Sequence, residues 1–172
     1  MDQQNQVEQP VYPANAVHMM RTTQLAHFQL SAMADHKASI LMGASFVIFT
    51  ITIGQAHDAS APTALLVLGA AAFASAVLTV LSVLPATRRR KNAPLNLLFF
   101  GSFTELDEEA FVERITARLA SDDAIYRTMA HDIYQNGCVL QHKKYRLLGW
   151  AYRIFLVGLV ASAAAFVADY AF

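Results

Sequence analysis

Charge is what this sequence has least of. Asp, Glu, Lys and Arg make up 15% of its 172 residues, where soluble globular domains carry about 25%. Cysteine is nearly absent too. Cys138 stands alone, so no intramolecular disulfide and no thiolate metal cluster can form. Within a predicted helix over 133–140 it reads as a small packed hydrophobe. The signatures of catalysis are also missing: no glycine-rich phosphate loop, no HExxH, no Ser-His-Asp order and no paired carboxylates in an apolar setting. The six His are scattered singly, and His27 shares no helix face with Asp35-His36, so no metal site is expected. These absences argue against an enzyme, and no cofactor and no nucleic-acid partner are expected.

What is present is apolar. Mean hydropathy is +0.34, and the zero net charge averages long uncharged runs with densely charged stretches. Residues 1–16, polar with Gln, Asn and two Pro, read as a disordered tail. They lack the basic start and early apolar run of a cleaved signal peptide.

Three runs are long enough to cross a bilayer. Residues 38–54 carry no charge and approach the lower limit for spanning about 30 Å of hydrocarbon. Their Ser and Thr can bond their own helix backbone. After a short polar turn ending in Pro62, residues 64–84 form a second uncharged run, so the two make an antiparallel hairpin. The third, within 147–171, has two candidate starts because Arg153 lies inside it. Beginning at Ile154 places Trp150, Tyr152 and Arg153 at the cytosolic interface, where aromatic rings and snorkelling Arg are stable. Beginning at Leu147 makes Arg153 a functional intramembrane charge.

Orientation follows from the basic residues. Arg88, Arg89, Arg90 and Lys91 follow the second run, Lys143, Lys144 and Arg146 precede the third, and Lys37 precedes the first. The loop between the first two runs has neither Lys nor Arg. By the positive-inside rule the N-terminus is cytoplasmic and the C-terminus periplasmic. The basic clusters also meet anionic lipid or, in a different role, could clamp a phosphate. Gly69 to Ala72, Ala74 and Ala76 in the second run, with Gly158, Ser162 and Ala165 in the third, let backbones approach closely. Such seams serve packing within one chain or a homo-oligomer.

Segments 17–37 and 86–146 are left for the cytoplasm, and both read as helical. Thr104-Glu105-Leu106-Asp107 has a capping-box pattern opening a helix through Leu119. Phe111, Ile115 and Leu119 mark its apolar stripe. Ser121-Asp122-Asp123 opens another, striped by Ile125, Met129 and Ile133. The expected fold is therefore all-α: an integral membrane protein with three transmembrane helices and a small cytosolic helical bundle.

Two local patterns lie beyond these arguments: Ala34-Asp35-His36-Lys37-Ala38 at the entry to the first run, and Asn96-Leu97-Leu98-Phe99-Phe100-Gly101 after the basic cluster. Together with Ile125-Tyr126, Asp132-Ile133-Tyr134 and the Leu140-to-Arg146 stretch, in this order, they resemble the transmembrane effectors of the pyrimidine-cyclase (Pycsar) antiphage systems. The resemblance runs from about Arg21 to Phe166. It implies a sensor and executioner in one chain. A partner cyclase would make cyclic CMP or cyclic UMP during phage infection, the cytosolic helices would bind it, and the membrane helices would impair the bacterial inner membrane. Asp35, Lys37, Asn96 and Gly101 match the family's motifs and become candidate ligand contacts. Phe100, Lys143 and Lys144 join them, since a cyclic nucleotide offers one phosphodiester charge and a flat base. The switch would act within a homo-oligomer in the lipid bilayer. The rival reading is a constitutive membrane scaffold or small channel subunit without a nucleotide ligand.

Overall fold

The computed structural model describes residues 11–56, 62–85 and 94–171. Every regular element among them is helical. Helix α1 (Ala16–Gln55) is 40 residues long, about 60 Å at 1.5 Å per residue. No proline interrupts it, so it runs from a polar first half straight into the first apolar run. Pro62, in extended conformation, precedes α2 (Thr63–Val83). A single turn, α3 (Phe100–Phe103), leads to α4 (Glu108–Arg118) and α5 (Asp122–Val139). The chain then continues through a π-helical segment (Leu140–Tyr145) into α6 (Arg146–Ala171). Helices α1, α2 and the long helix through α6 are each long and apolar enough to cross a membrane.

Two compact units emerge, one described over 29–56, 62–85 and 138–171, the other over 11–28 and 94–137. The first has the inside-out chemistry of a membrane bundle. Its buried apolar cluster is Ala34, Ala38, Leu41, Leu148 and Ala151, and the most fully enclosed residues are small: Ala38, Ala72, Ala151, Ser45, Ser75 and Thr79. Large apolar groups such as Ile40, Phe46, Ile51, Phe73, Leu156 and Val160 are exposed. In water such a surface would be costly over so large an area; in lipid it costs nothing, and close packing of small residues then holds the helices together.

Hydrogen bonds define the arrangement within this unit. Ser162 Oγ donates to the Ala64 carbonyl, Ser75 Oγ to Ala151, and Lys143 Nζ to Leu84, so α2 and α6 run antiparallel. From Ser162 back to Lys143 is about 28 Å of helix, close to the roughly 30 Å of bilayer hydrocarbon. Tyr145 donates to the Leu30 carbonyl and Tyr152 to that of Lys37, so α1 and α6 are parallel. Gly69 lies against the Thr52 side chain and Gly158 against Ala71. These small residues therefore serve packing within one chain.

The second unit differs from sequence expectation in two places. The predicted capping box does not open α4, which begins at Glu108 after Asp107. Thr104 is used earlier, its Oγ1 donating to the Phe100 carbonyl at 2.6 Å to close α3. The predicted tail is ordered at its end. Residues 1–10 lie outside the described residues, but the Tyr12 hydroxyl donates to Asp123 Oδ1 at 2.8 Å and its ring lies 4.6 Å from that of Tyr126.

Candidate functional site

The candidate ligand residues fall into two groups. Four belong to the membrane unit. Lys144 Nζ lies 2.7 Å from both Asp35 carboxylate oxygens and also donates to Ser31 Oγ at 2.8 Å. The lysine side chain is 19% exposed and the aspartate 43%, so the ion pair is half-solvated, with its cation the better enclosed partner. Lys143 caps α2, its ammonium donating to the Leu84 carbonyl at 2.7 Å, where the negative end of the helix dipole favours a cation. Lys37 is exposed and contributes its backbone carbonyl to Tyr152. Arg88, Arg89, Arg90 and Lys91 lie outside the described residues.

Trp150 and Arg153 face outward from α6, the guanidinium 5.2 Å from the indole ring centre. Arg153 follows by two residues the Ala151 that meets Ser75 in the middle of α2. It thus lies within the stretch of α6 that packs along α2. Stacking on Trp150, one turn earlier, carries the charge back toward the Lys143 end, as a snorkelling arginine does.

The other three belong to the second unit. Asn96 is buried and fully employed: its backbone N–H donates to Ser102 Oγ at 2.9 Å, its side-chain oxygen accepts from the Leu98 N–H at 2.9 Å, and Nδ2 donates to Asp132 Oδ1 at 3.0 Å. Phe100 is exposed, its ring 5.0 Å from that of Phe99, and Gly101 is half-buried in α3.

Asp132 is the centre of this unit. The residue is 6% exposed, and its carboxylate accepts from three side-chain amides: Asn96 and Asn136 on Oδ1 (3.0 and 2.9 Å) and Gln24 on Oδ2 (3.1 Å). A buried charge persists only where such donors replace its lost hydration. The node joins α1, the 94–99 segment and α5. Asp132 carried a family motif in the sequence, yet nothing in its helical spacing announced partners 36 and 108 residues away.

A second polar contact fastens the ordered tail. Arg127 donates from Nε to Asp123 Oδ2 at 2.7 Å. That hydrogen bond, and next the one from Tyr12, holds the Asp123 carboxyl below the usual carboxylate range. The same carboxylate pushes the Tyr12 phenol up, chiefly through their hydrogen bond. No cluster of His, Cys, Asp and Glu suited to a metal ion occurs among the described residues.

The model of the Pycsar effector protein domain matches residues 18–169. The chain belongs to the Pycsar effector family. The match begins in the first turn of α1 and ends near the end of α6, so both units of this Pycsar effector fall inside it. No curated protein and no solved structure matches the chain.

Proposed function

We propose that this Pycsar effector senses a cyclic pyrimidine nucleotide, cyclic CMP or cyclic UMP, through its cytosolic helices and then impairs the bacterial inner membrane, halting the infected cell. The observation that carries the reading is the family match across both a water-facing helical unit and a lipid-facing bundle. The ligand comes from a partner cyclase, and the effector acts by binding it, not by turning it over. The positive-inside rule puts the end of the bundle bearing Lys37, Lys143 and Lys144 in the cytoplasm. With α1 and α6 parallel, the C-terminus is then periplasmic.

The membrane unit supports a regulated lesion over a permanent channel. The hydroxyls of Ser75, Thr79 and Ser82 donate to backbone carbonyls within the bundle, so they leave a single chain little with which to line an ion path. Assembly of several chains supplies what one lacks. A ligand switches such an assembly only through unequal affinity for its two states, about 5.5 kcal/mol for full inversion.

Calorimetric titration of the purified chain with cyclic CMP, cyclic UMP, cyclic AMP and cyclic dinucleotides tests the reading. Binding of one cyclic pyrimidine nucleotide in preference to the others is expected. Binding to none of them would leave the scaffold reading in front.

A further inference from the structure

At the bundle end Asp35, Lys143 and Lys144 are occupied with one another or with backbone, Lys37 is exposed with its carbonyl engaged, and Asn96 is consumed inside the fold. A different place in the second unit offers what a nucleotide needs. An open groove of about 560 Å3 runs along the first half of α1, lined by His18, Arg21, Thr22, Gln24, Leu25 and Phe28. All six lining residues belong to this one helix, so the groove is shallow and open to solvent.

The groove's chemistry is divided along its length. Arg21 is exposed and forms no ion pair among the described residues. Its guanidinium can hold a phosphodiester through two parallel hydrogen bonds. His18 stands about one turn before it, Thr22 is its neighbour in the chain, and both add donors. Leu25 and Phe28 are 62% and 73% exposed, an apolar pair outside the membrane-spanning stretch with no aromatic partner among the described residues. Phe28 follows Arg21 by seven residues, nearly on the same face and about 10 Å along the axis. A charged head at one end and a flat apolar platform at the other match a phosphodiester joined to a base.

A lipid headgroup carries the same phosphodiester. Arg21, however, lies 17 residues ahead of the first uncharged apolar run, which begins at residue 38. That separation favours a soluble ligand.

We infer that the Arg21–Phe28 face of α1 is the binding site for the cyclic pyrimidine nucleotide, Arg21 holding the phosphodiester and Phe28 stacking on the base; this rests on the function proposed above. Gln24 ties occupancy to the rest of the unit, because its Nε2 also holds Asp132 Oδ2. A ligand oxygen competing for that amide loosens the buried node.

The test uses the full chain in detergent, titrated with cyclic CMP and cyclic UMP. Arg21→Ala is expected to weaken binding at least about tenfold, and Arg21→Lys to recover only part of it, since an ammonium cannot make the bidentate hold. Phe28→Ala should weaken binding about fivefold or more through lost stacking. Hydrogen exchange on the wild-type chain provides a readout independent of any variant: ligand should protect amides across residues 18–28. Wild-type binding that Arg21→Ala and Phe28→Ala leave unchanged, without that protection, would overturn this site and leave the proposed function standing. A wild-type chain that binds no nucleotide would overturn both. Protection of 18–28 by vesicles of anionic lipid, and not by nucleotide, would assign the groove to headgroups and overturn the inference as well.

Discussion

Lys144 places its ammonium 2.7 Å from each carboxylate oxygen of Asp35, joining the start of α6 to α1 at the basic end of the membrane bundle. The sequence offered both residues as ligand contacts, and the geometry makes them each other's partner. Because Lys144 is the better enclosed of the two, losing the carboxylate costs more than losing the ammonium. Asp35→Asn should destabilise the bundle by about 1–2 kcal/mol and Lys144→Ala by about 1 kcal/mol. Thermal unfolding in detergent measures both. The exchanged pair, Asp35→Lys with Lys144→Asp, should regain part of the loss that each of these two changes causes alone, and full additivity of Asp35→Lys and Lys144→Asp would show the contact to be energetically idle.

The Asp132 node predicts a steeper effect. Asp132→Ala strands the amides of Gln24, Asn96 and Asn136, at a cost on the order of 3 kcal/mol. Asn96→Ala, which removes one donor and frees the Leu98 N–H, should cost about 1–2 kcal/mol. Hydrogen exchange should then show faster opening of residues 94–99 in both variants.

Tyr12 and Asp123 make the ordered tail pH-sensitive. Asp123 has its folded-state pKa lowered, first by Arg127 and next by Tyr12. Its contribution is therefore complete above the ordinary carboxylate range and lost as pH falls through the lowered value. The Tyr12 phenol is raised, so its contribution is complete below the ordinary tyrosine value of about 10 and is lost as pH rises through the raised one. Between these limits residues 11–15 should stay docked. Tyrosine fluorescence across the pH range should show release at both ends, and Tyr12→Phe should abolish both transitions.

Two glycines of α6 should respond oppositely to alanine. A Cβ at Gly158 would collide with Ala71, whereas one at Gly149 meets nothing within 4 Å. Gly149→Ala should stabilise the helix by up to about 1 kcal/mol. Gly158→Ala forces α2 and α6 apart, and Gly158→Leu should cost about 1–3 kcal/mol. Unfolding in a denaturing detergent series would separate the two.

The helical class and the three apolar helices were legible because both rest on local signals, period and run length. The α4 start was misread because a capping pattern reports only residue types; Thr104 satisfies the preceding turn instead. The last span showed why Arg153 confuses a composition-based boundary. The helix runs unbroken from Asp122 through a π-helical segment, so hydropathy alone sees a charge where the fold sees a snorkelling side chain on Trp150. The Asp132 node and the Arg21 groove were least legible. One depends on residues 108 positions apart, and the other on which helix face is left uncovered.

The most direct test of the account is dye release from proteoliposomes carrying the purified chain, with nucleotide supplied on both faces of the membrane. The account predicts release on adding the cyclic pyrimidine nucleotide that the chain binds, and none with cyclic AMP or without ligand. Release that is the same with and without ligand, or no release despite saturated binding, would contradict it.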